Sequence, residues 1–303
     1  MVLAINPLVD FAFKMLFGSP DHTAITISFL NAVLQPTPRI QSVEILNPIL
    51  GKDTDISKIA LLDILATDEQ QRKFNVEVQT TLPAGMIKRL VYYASRLYAG
   101  QITQADGYTK LKPAVCICVL SKPLFPTHPE MHLDFRLREK NGQNLSDDLQ
   151  VHLVELPKST ATEHNLEKVS LLERWAYFLR VAENTDLDHL RRQLPQPEFA
   201  EAIGVLEMIR RDPDENELYE RRLKYRRDEA ARMEAAVEAA VEAAVEVASA
   251  EALDKGELIG EIRLLQKLLK RNQSEKTELV RLSPEQLKTM VRKLEQELNQ
   301  TNS

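Results

Sequence analysis

ALLDILATDEQQRKFNVEVQ, residues 60–79, reads as two short apolar strands joined by a polar turn. The first run, 60–67, is made of Leu, Ile and Ala up to a closing Thr67 and is interrupted by Asp63. The second, 74–79, alternates, with Phe74, Val76 and Val78 on one face and Asn75, Glu77 and Gln79 on the other. A turn centred on Gln70 pairs residues whose numbers sum to 140. Asp63 then faces Glu77 with Cβ atoms roughly 4.5–5.5 Å apart. A slip of one residue destroys that pairing. Two opposed carboxylates on a sheet are destabilising unless something neutralises them, and a hard divalent cation that takes oxygen ligands does so. The other reading is one buried Asp bonded to backbone and one solvated Glu; the stretch alone leaves both open.

The surroundings add to it. NPLVDFAFKMLFG (6–18) opens the chain, and Lys58 precedes LLDILA. After the acids come Arg89, Tyr92, Tyr93 and Tyr98, then Gly107 and Tyr108 before PAVCICVLS. In this order these segments resemble the PD-(D/E)XK nuclease family. More narrowly, they resemble its branch of recombination-promoting nucleases, also described as PD-(D/E)XK family transposases. The resemblance covers residue 6 to the early 230s. It implies a restriction-endonuclease-like α/β core, a mixed sheet flanked by helices, followed here by an all-α C-terminal region with a long helix. It also implies a metal-dependent DNA endonuclease that hydrolyses phosphodiester bonds and is linked to DNA recombination or rearrangement. In that reading Asp63, Glu77 and the backbone carbonyl of Val78 hold Mg²⁺ or Mn²⁺, Gln79 completes the motif, and Asp10 assists. Lys14, Lys58, Arg89 and Tyr93 are the candidates for contacting nucleic acid.

Gln79 departs from the broad superfamily, where lysine holds this place, although Gln is usual in the narrower branch. An amide orients water or phosphate but supplies no positive charge; Lys58 or Lys14 could supply it. Asp10 has a second reading, as an acid in a first helical turn that complements the macrodipole. Two alternatives to the DNA endonuclease stand. One is a catalytically weak or inactive nuclease fold acting as a nucleic-acid-binding or assembly protein. The other is an RNA-directed hydrolase with the same site.

Composition narrows the setting. The chain has 303 residues, 44% of them hydrophobic, which is enough for one large domain with an appendage or for two domains. Its net charge of −6 excludes a global basic field, so any DNA or RNA contact must be a local patch. Cys116 and Cys118 sit two apart on an expected strand with no partner pair, a pattern for buried packing rather than zinc. The six histidines are scattered and none is assigned a site. No signal-peptide pattern and no bilayer-length apolar run occurs, so the expectation is a cytoplasmic protein without membrane contact.

Along the chain, residues 7–16 and 24–34 read as helices, 42–50 as a first strand, and 84–101 as a helix after Pro83. Residues 113–121 form a continuous apolar strand of the kind covered on both faces, and 151–156 another, with a looped segment expected over 122–149. Helices follow at 166–182 and 199–210, the first carrying the single Trp, Trp175, as an anchor. Residues 216–232 are dense in both charges, a solvated helix face or a local basic patch. AAVEAAVEAAVEV (235–247) has high helix propensity, but its period of four drifts round the helix and cannot hold a long coiled-coil seam. A new helix is expected over 256–270, and Ser283-Pro-Glu-Gln signals another. The expected organisation is a nuclease-like core over 1–160, a helical extension over 161–233, a repeat helix over 234–255 and a helical module over 256–303. The C-terminal helices offer a route to a homo-oligomer.

Overall fold

The computed structural model describes residues 2–46 and 64–301. Lys58, Asp63 and positions 47–50 of the first expected strand lie outside the described residues. The chain divides into two compact units, 1–227 and 228–303.

In the first unit the helices α1 (Asp10–Phe17) and α2 (Thr23–Leu34) precede three strands, β1 (Val43–Ile45), β2 (Ile64–Asp68) and β3 (Lys73–Gln79). Helix α3 (Met86–Ala99) crosses to β4 (Ala114–Leu120), and β5 (His132–Arg138) and β6 (Asn144–Glu155) follow. These strands form one six-stranded sheet in the order β1-β2-β3-β4-β6-β5. The β1/β2, β2/β3 and β5/β6 pairs are antiparallel, while β3/β4 and β4/β6 are parallel. The architecture is the expected one, a mixed sheet flanked by helices, with the parallel step made by an intervening helix as geometry requires.

The alternation of β3 divides the core in two. Phe74, Val76 and Val78 join Ile64, Ala66, Val115, Ile117 and Val119 on one face. There they pack against α1, α2, α4 (Leu171–Val181) and α6 (Pro197–Arg211), with α5 (Leu187–Gln193) between the last two in sequence. Trp175 is fully buried among Phe17, Phe29, Phe178 and Phe199, and its indole donates to Ser28 Oγ at 3.2 Å. On the opposite face Cys116, Cys118, Leu120 and Leu153 meet Met86, Leu90 and Ala94 of α3. Strand β4 is thus buried throughout its length, which explains its unbroken apolar sequence.

Two expectations need correction. The loop foreseen over 122–149 contains β5 and the first half of β6. Strand β5 is an edge strand with a polar sequence because its outer face is solvated. Its charges pair along and across the hairpin, Arg136 bonding to Asp134 at 3.0 Å and to Asp147 at 2.7 Å. Edge strands carry such charges routinely, which disguises them as loop. The helix foreseen as restarting near residue 256 does not restart. Helix α7 (Pro213–Leu268) is continuous over 56 residues, since an interior glycine such as Gly256 costs only about 1 kcal/mol and does not end a helix.

The beginning of α7 is not simply a solvated basic face. Arg222 lies 3.6 Å from Asp10. Burial pushes the Arg226 guanidinium below its ordinary range, while the nearby Tyr219 and Glu183 work the other way. In the second unit, the C-terminal part of α7, α8 (Lys276–Leu279) and α9 (Pro284–Thr301) share a small core of Ile259, Ile262, Leu265, Leu279, Leu287, Val291 and Leu294. The expected capping box at Ser283 is present: Gln286 N donates to Ser283 Oγ at 3.2 Å, and Ser283 N donates to Gln286 Oε1 at 2.8 Å. Val237, Val241 and Val245 of the repeat are exposed. Among the described residues no helix is long and apolar enough to cross a membrane.

Candidate active site

The β2/β3 register is the one the turn predicts. Ile64 pairs with Val76, Leu65 with Asn75, Ala66 with Phe74 and Thr67 with Lys73, each pair summing to 140. The turn is built by Asp68, whose Oδ1 accepts from Gln70 N at 3.0 Å and from Arg72 N at 2.9 Å. Asp68 Oδ2 takes the Arg72 guanidinium at 2.6 Å, so the hairpin is closed by a buried, charge-assisted clasp. The register therefore rests on turn chemistry as well as on apolar alternation. Asp63 precedes Ile64 in the sequence and lies outside the described residues.

Glu77 stands on the α3 face of β3 and is only 1% exposed. A buried carboxylate requires partners. Asn75 Nδ2 donates to Glu77 Oε1 at 3.0 Å, and Arg89 Nη2 lies 3.8 Å from Glu77 Oε2. Arg89 comes from the first turns of α3, with its guanidinium 5.8 Å from the centre of the Tyr93 ring. Helix α3 starts at Gly85, whose φ of +80° is a left-handed conformation that a side chain would strain. That turn lets the chain leave β3 and bring Arg89 back over Glu77. Gln79 ends β3 half-buried, and its carbonyl accepts from Ser121 N at 3.0 Å. Val78, the intervening residue, points its side chain into the opposite core.

Across β4, Cys116 lies opposite Asn75 and Cys118 opposite Glu77. Both are buried free thiols. Burial, and after it the Glu77 charge, pushes the Cys116 thiol up to about 12. It is held as a neutral packing group, and neither a nucleophile nor a thiolate ligand is available there.

The fold thus brings Glu77, Arg89 and Tyr93 together, and adds Asn75. The alternation in NVEVQ puts Asn75 on the Glu77 face, and that is the one sequence signal for its place in the cluster. Asp10 opens α1 and is paired to Arg222. Lys14 lies in the last turn of α1, and Tyr92 is exposed with Arg96 over its ring at 5.9 Å. Glu44 is an exposed residue of the edge strand β1.

Among the described residues no group of three or more His, Cys, Asp or Glu is arranged to hold a metal ion. The ligand atoms that Glu77 offers are carboxylate oxygens; the Asn75 amide turns its nitrogen toward them, and the Arg89 guanidinium stands 3.8 Å away. Oxygen donors of this kind suit a hard cation such as Mg²⁺ or Mn²⁺ and not zinc or copper.

A sequence model of the family described as PD-(D/E)XK nuclease family transposase matches residues 7–236. No curated protein and no solved structure matches the chain. The matched span takes in the whole mixed sheet, the helices packed on both its faces and the Glu77 cluster. The chain therefore belongs to the PD-(D/E)XK nuclease family transposase family.

Proposed function

We propose that the protein is a divalent-metal-dependent endonuclease that hydrolyses phosphodiester bonds in DNA, in a setting of DNA recombination or rearrangement. The observation that carries this reading is the register. The observed pairing, from Ile64 opposite Val76 to Thr67 opposite Lys73, follows the turn-centred register, and this supports the sequence expectation that Asp63, outside the described residues, faces Glu77. Asp63, Glu77 and the Val78 carbonyl would hold Mg²⁺ or Mn²⁺, with Asp10 an assisting acid at most while Arg222 engages it. When bound, such an ion lowers the pKa of water and neutralises charge at the scissile phosphate. Gln79 orients water or phosphate through its amide. Arg89, Lys14 and Lys58 supply positive charge to the nucleic acid, and Tyr93 supports Arg89 from beneath.

One observation favours a second reading, a catalytically weak fold that binds nucleic acid or assembles. Arg89 already places a positive charge 3.8 Å from Glu77, so the carboxylate is compensated without an added ion. Calorimetric titration of Mn²⁺, with cleavage of plasmid DNA in parallel, separates the two. The wild type is expected to bind and cleave, and Asp63→Ala and Glu77→Ala to remain folded and do neither. Cleavage that persists in either variant would refute the site, and a wild type that neither binds nor cleaves would support the second reading.

A further inference from the structure

Helix α3 carries Lys88, Arg89 and Arg96 and no acidic residue. The bias extends beyond the helix. Between Glu77 and Glu130 the sequence holds six basic residues and one acid, Asp106, in a chain with 45 acids and a net charge of −6. Asp106 is itself engaged by Lys110. This is the local basic patch that the overall charge conceals, and through Arg89 it adjoins the Glu77 site.

The same helix sets aromatic rings among these charges. Lys88, Tyr92 and Arg96 recur at every fourth position and form one exposed stripe. Tyr92 is 54% exposed; Arg96 lies 5.9 Å from its ring centre and donates to its hydroxyl at 3.3 Å. The Tyr93 ring stands 5.9 Å from that of Tyr92, and Arg89 lies 5.8 Å from the centre of Tyr93. Guanidiniums and rings thus run from Glu77 through Arg89 and Tyr93 to the exposed Tyr92 and Arg96. Core packing does not account for Tyr92, because Met86, Leu90 and Ala94 fill the sheet-facing side of α3.

We infer that the stripe of Lys88, Tyr92 and Arg96 is a stacking surface for unpaired bases, so that the protein selects single-stranded DNA over duplex. This deepens the endonuclease reading above and takes its nucleic-acid ligand from it. An exposed ring stacks on a base whose face is free, a condition that a single strand meets and a stacked duplex does not. The cations flanking the ring take the phosphates and add cation–π attraction to the stack.

The test measures binding of the full chain to fluorescein-labelled oligo-dT and to a duplex of equal length by anisotropy, in chelator so that neither metal nor cleavage contributes. The wild type is expected to bind the single strand at least about fivefold more tightly. Tyr92→Leu should lose about five- to a hundredfold on the single strand and less than about twofold on the duplex, whereas Tyr92→Phe, which keeps the ring, holds the affinity. Arg96→Gln should lower the salt slope of single-strand binding by about 0.7, and Tyr92→Leu should leave that slope unchanged. Thermal melts check that each variant is folded. Equal losses on both ligands in Tyr92→Leu, or no loss on either, would overturn the stacking role, as would a wild type that prefers duplex. Tighter binding of oligo-U RNA than of oligo-dT would overturn the assignment to DNA. Selective single-strand binding without any cleavage in Mn²⁺ would bear out the stripe and refute the endonuclease reading alone.

Discussion

The contact between Arg89 and Glu77 yields the sharpest stability prediction. At 3.8 Å two unit charges interact by about 4 kcal/mol at an effective dielectric of 20. Two effects reduce that figure. The Arg89 side chain is 33% exposed, so water screens the pair, and removing the guanidinium returns its desolvation cost. Asn75 continues to satisfy Oε1. Arg89→Met, which keeps an apolar stem over Tyr93, is therefore expected to destabilise the protein by about 1–2 kcal/mol. For a unit of this size each kcal/mol corresponds to about 2–4 °C, so Tm should fall by roughly 2–8 °C in chelator. If a divalent ion also binds Glu77, it replaces the lost charge and binds only the folded state, so saturating Mn²⁺ should recover most of the loss. Differential scanning calorimetry of wild type and variant, each in chelator and in Mn²⁺, measures both quantities. An unchanged Tm in chelator would refute the electrostatic argument, and a deficit that Mn²⁺ leaves untouched would refute the idea that guanidinium and metal serve the same carboxylate.

Two further predictions follow from the rest of the fold. Burial pushes His152, whose Nδ1 lies 3.0 Å from His132 Nε2, down from 6.5 to about 4, with the Asp134 carboxylate only partly opposing the shift. The unfolded chain then binds more protons between those values, so stability is full above pH 6.5 and is lost as pH falls toward 4. His152→Gln should flatten this acid slope in Tm against pH, and identical slopes in both proteins would contradict it. A chain ending at Arg227 retains both cores of the sheet and the Glu77 cluster. It should fold and bind Mn²⁺ as the full protein does; a folded fragment without Mn²⁺ binding would sink that expectation.

Much of the fold could be read before any coordinates. Strict alternation in FNVEVQ assigns Phe74, Val76 and Val78 to one core and turns Glu77 to the other face. A turn centred on Gln70 sets the register through Ile64 and Val76. Both are local consequences of a period of two and a short loop, and local rules act on residues close in sequence. The apolar run at 114–120 announced a strand covered on both sides for the same reason. Strand β5 escaped, because an edge strand pairs its charges across a hairpin and so carries the composition of a loop.

The partners of the acids were a different matter. Arg89 is 12 positions from Glu77, and whether it meets the carboxylate depends on the left-handed turn at Gly85 and on how α3 lies over the sheet. Asp10 reads equally well as a cap or as an assisting acid, and more than 200 positions later Arg222 engages it. Asn75 looks like any polar strand residue until Cys116 closes one side of it and Glu77 the other. The sequence by itself determined the β2/β3 hairpin with its register, the two faces of β3 and the buried strand β4, since these follow from periodicity and turn chemistry. Only the tertiary structure decided which charge stands beside which acid, because such pairs form between elements whose meeting is set by the packing of the whole core.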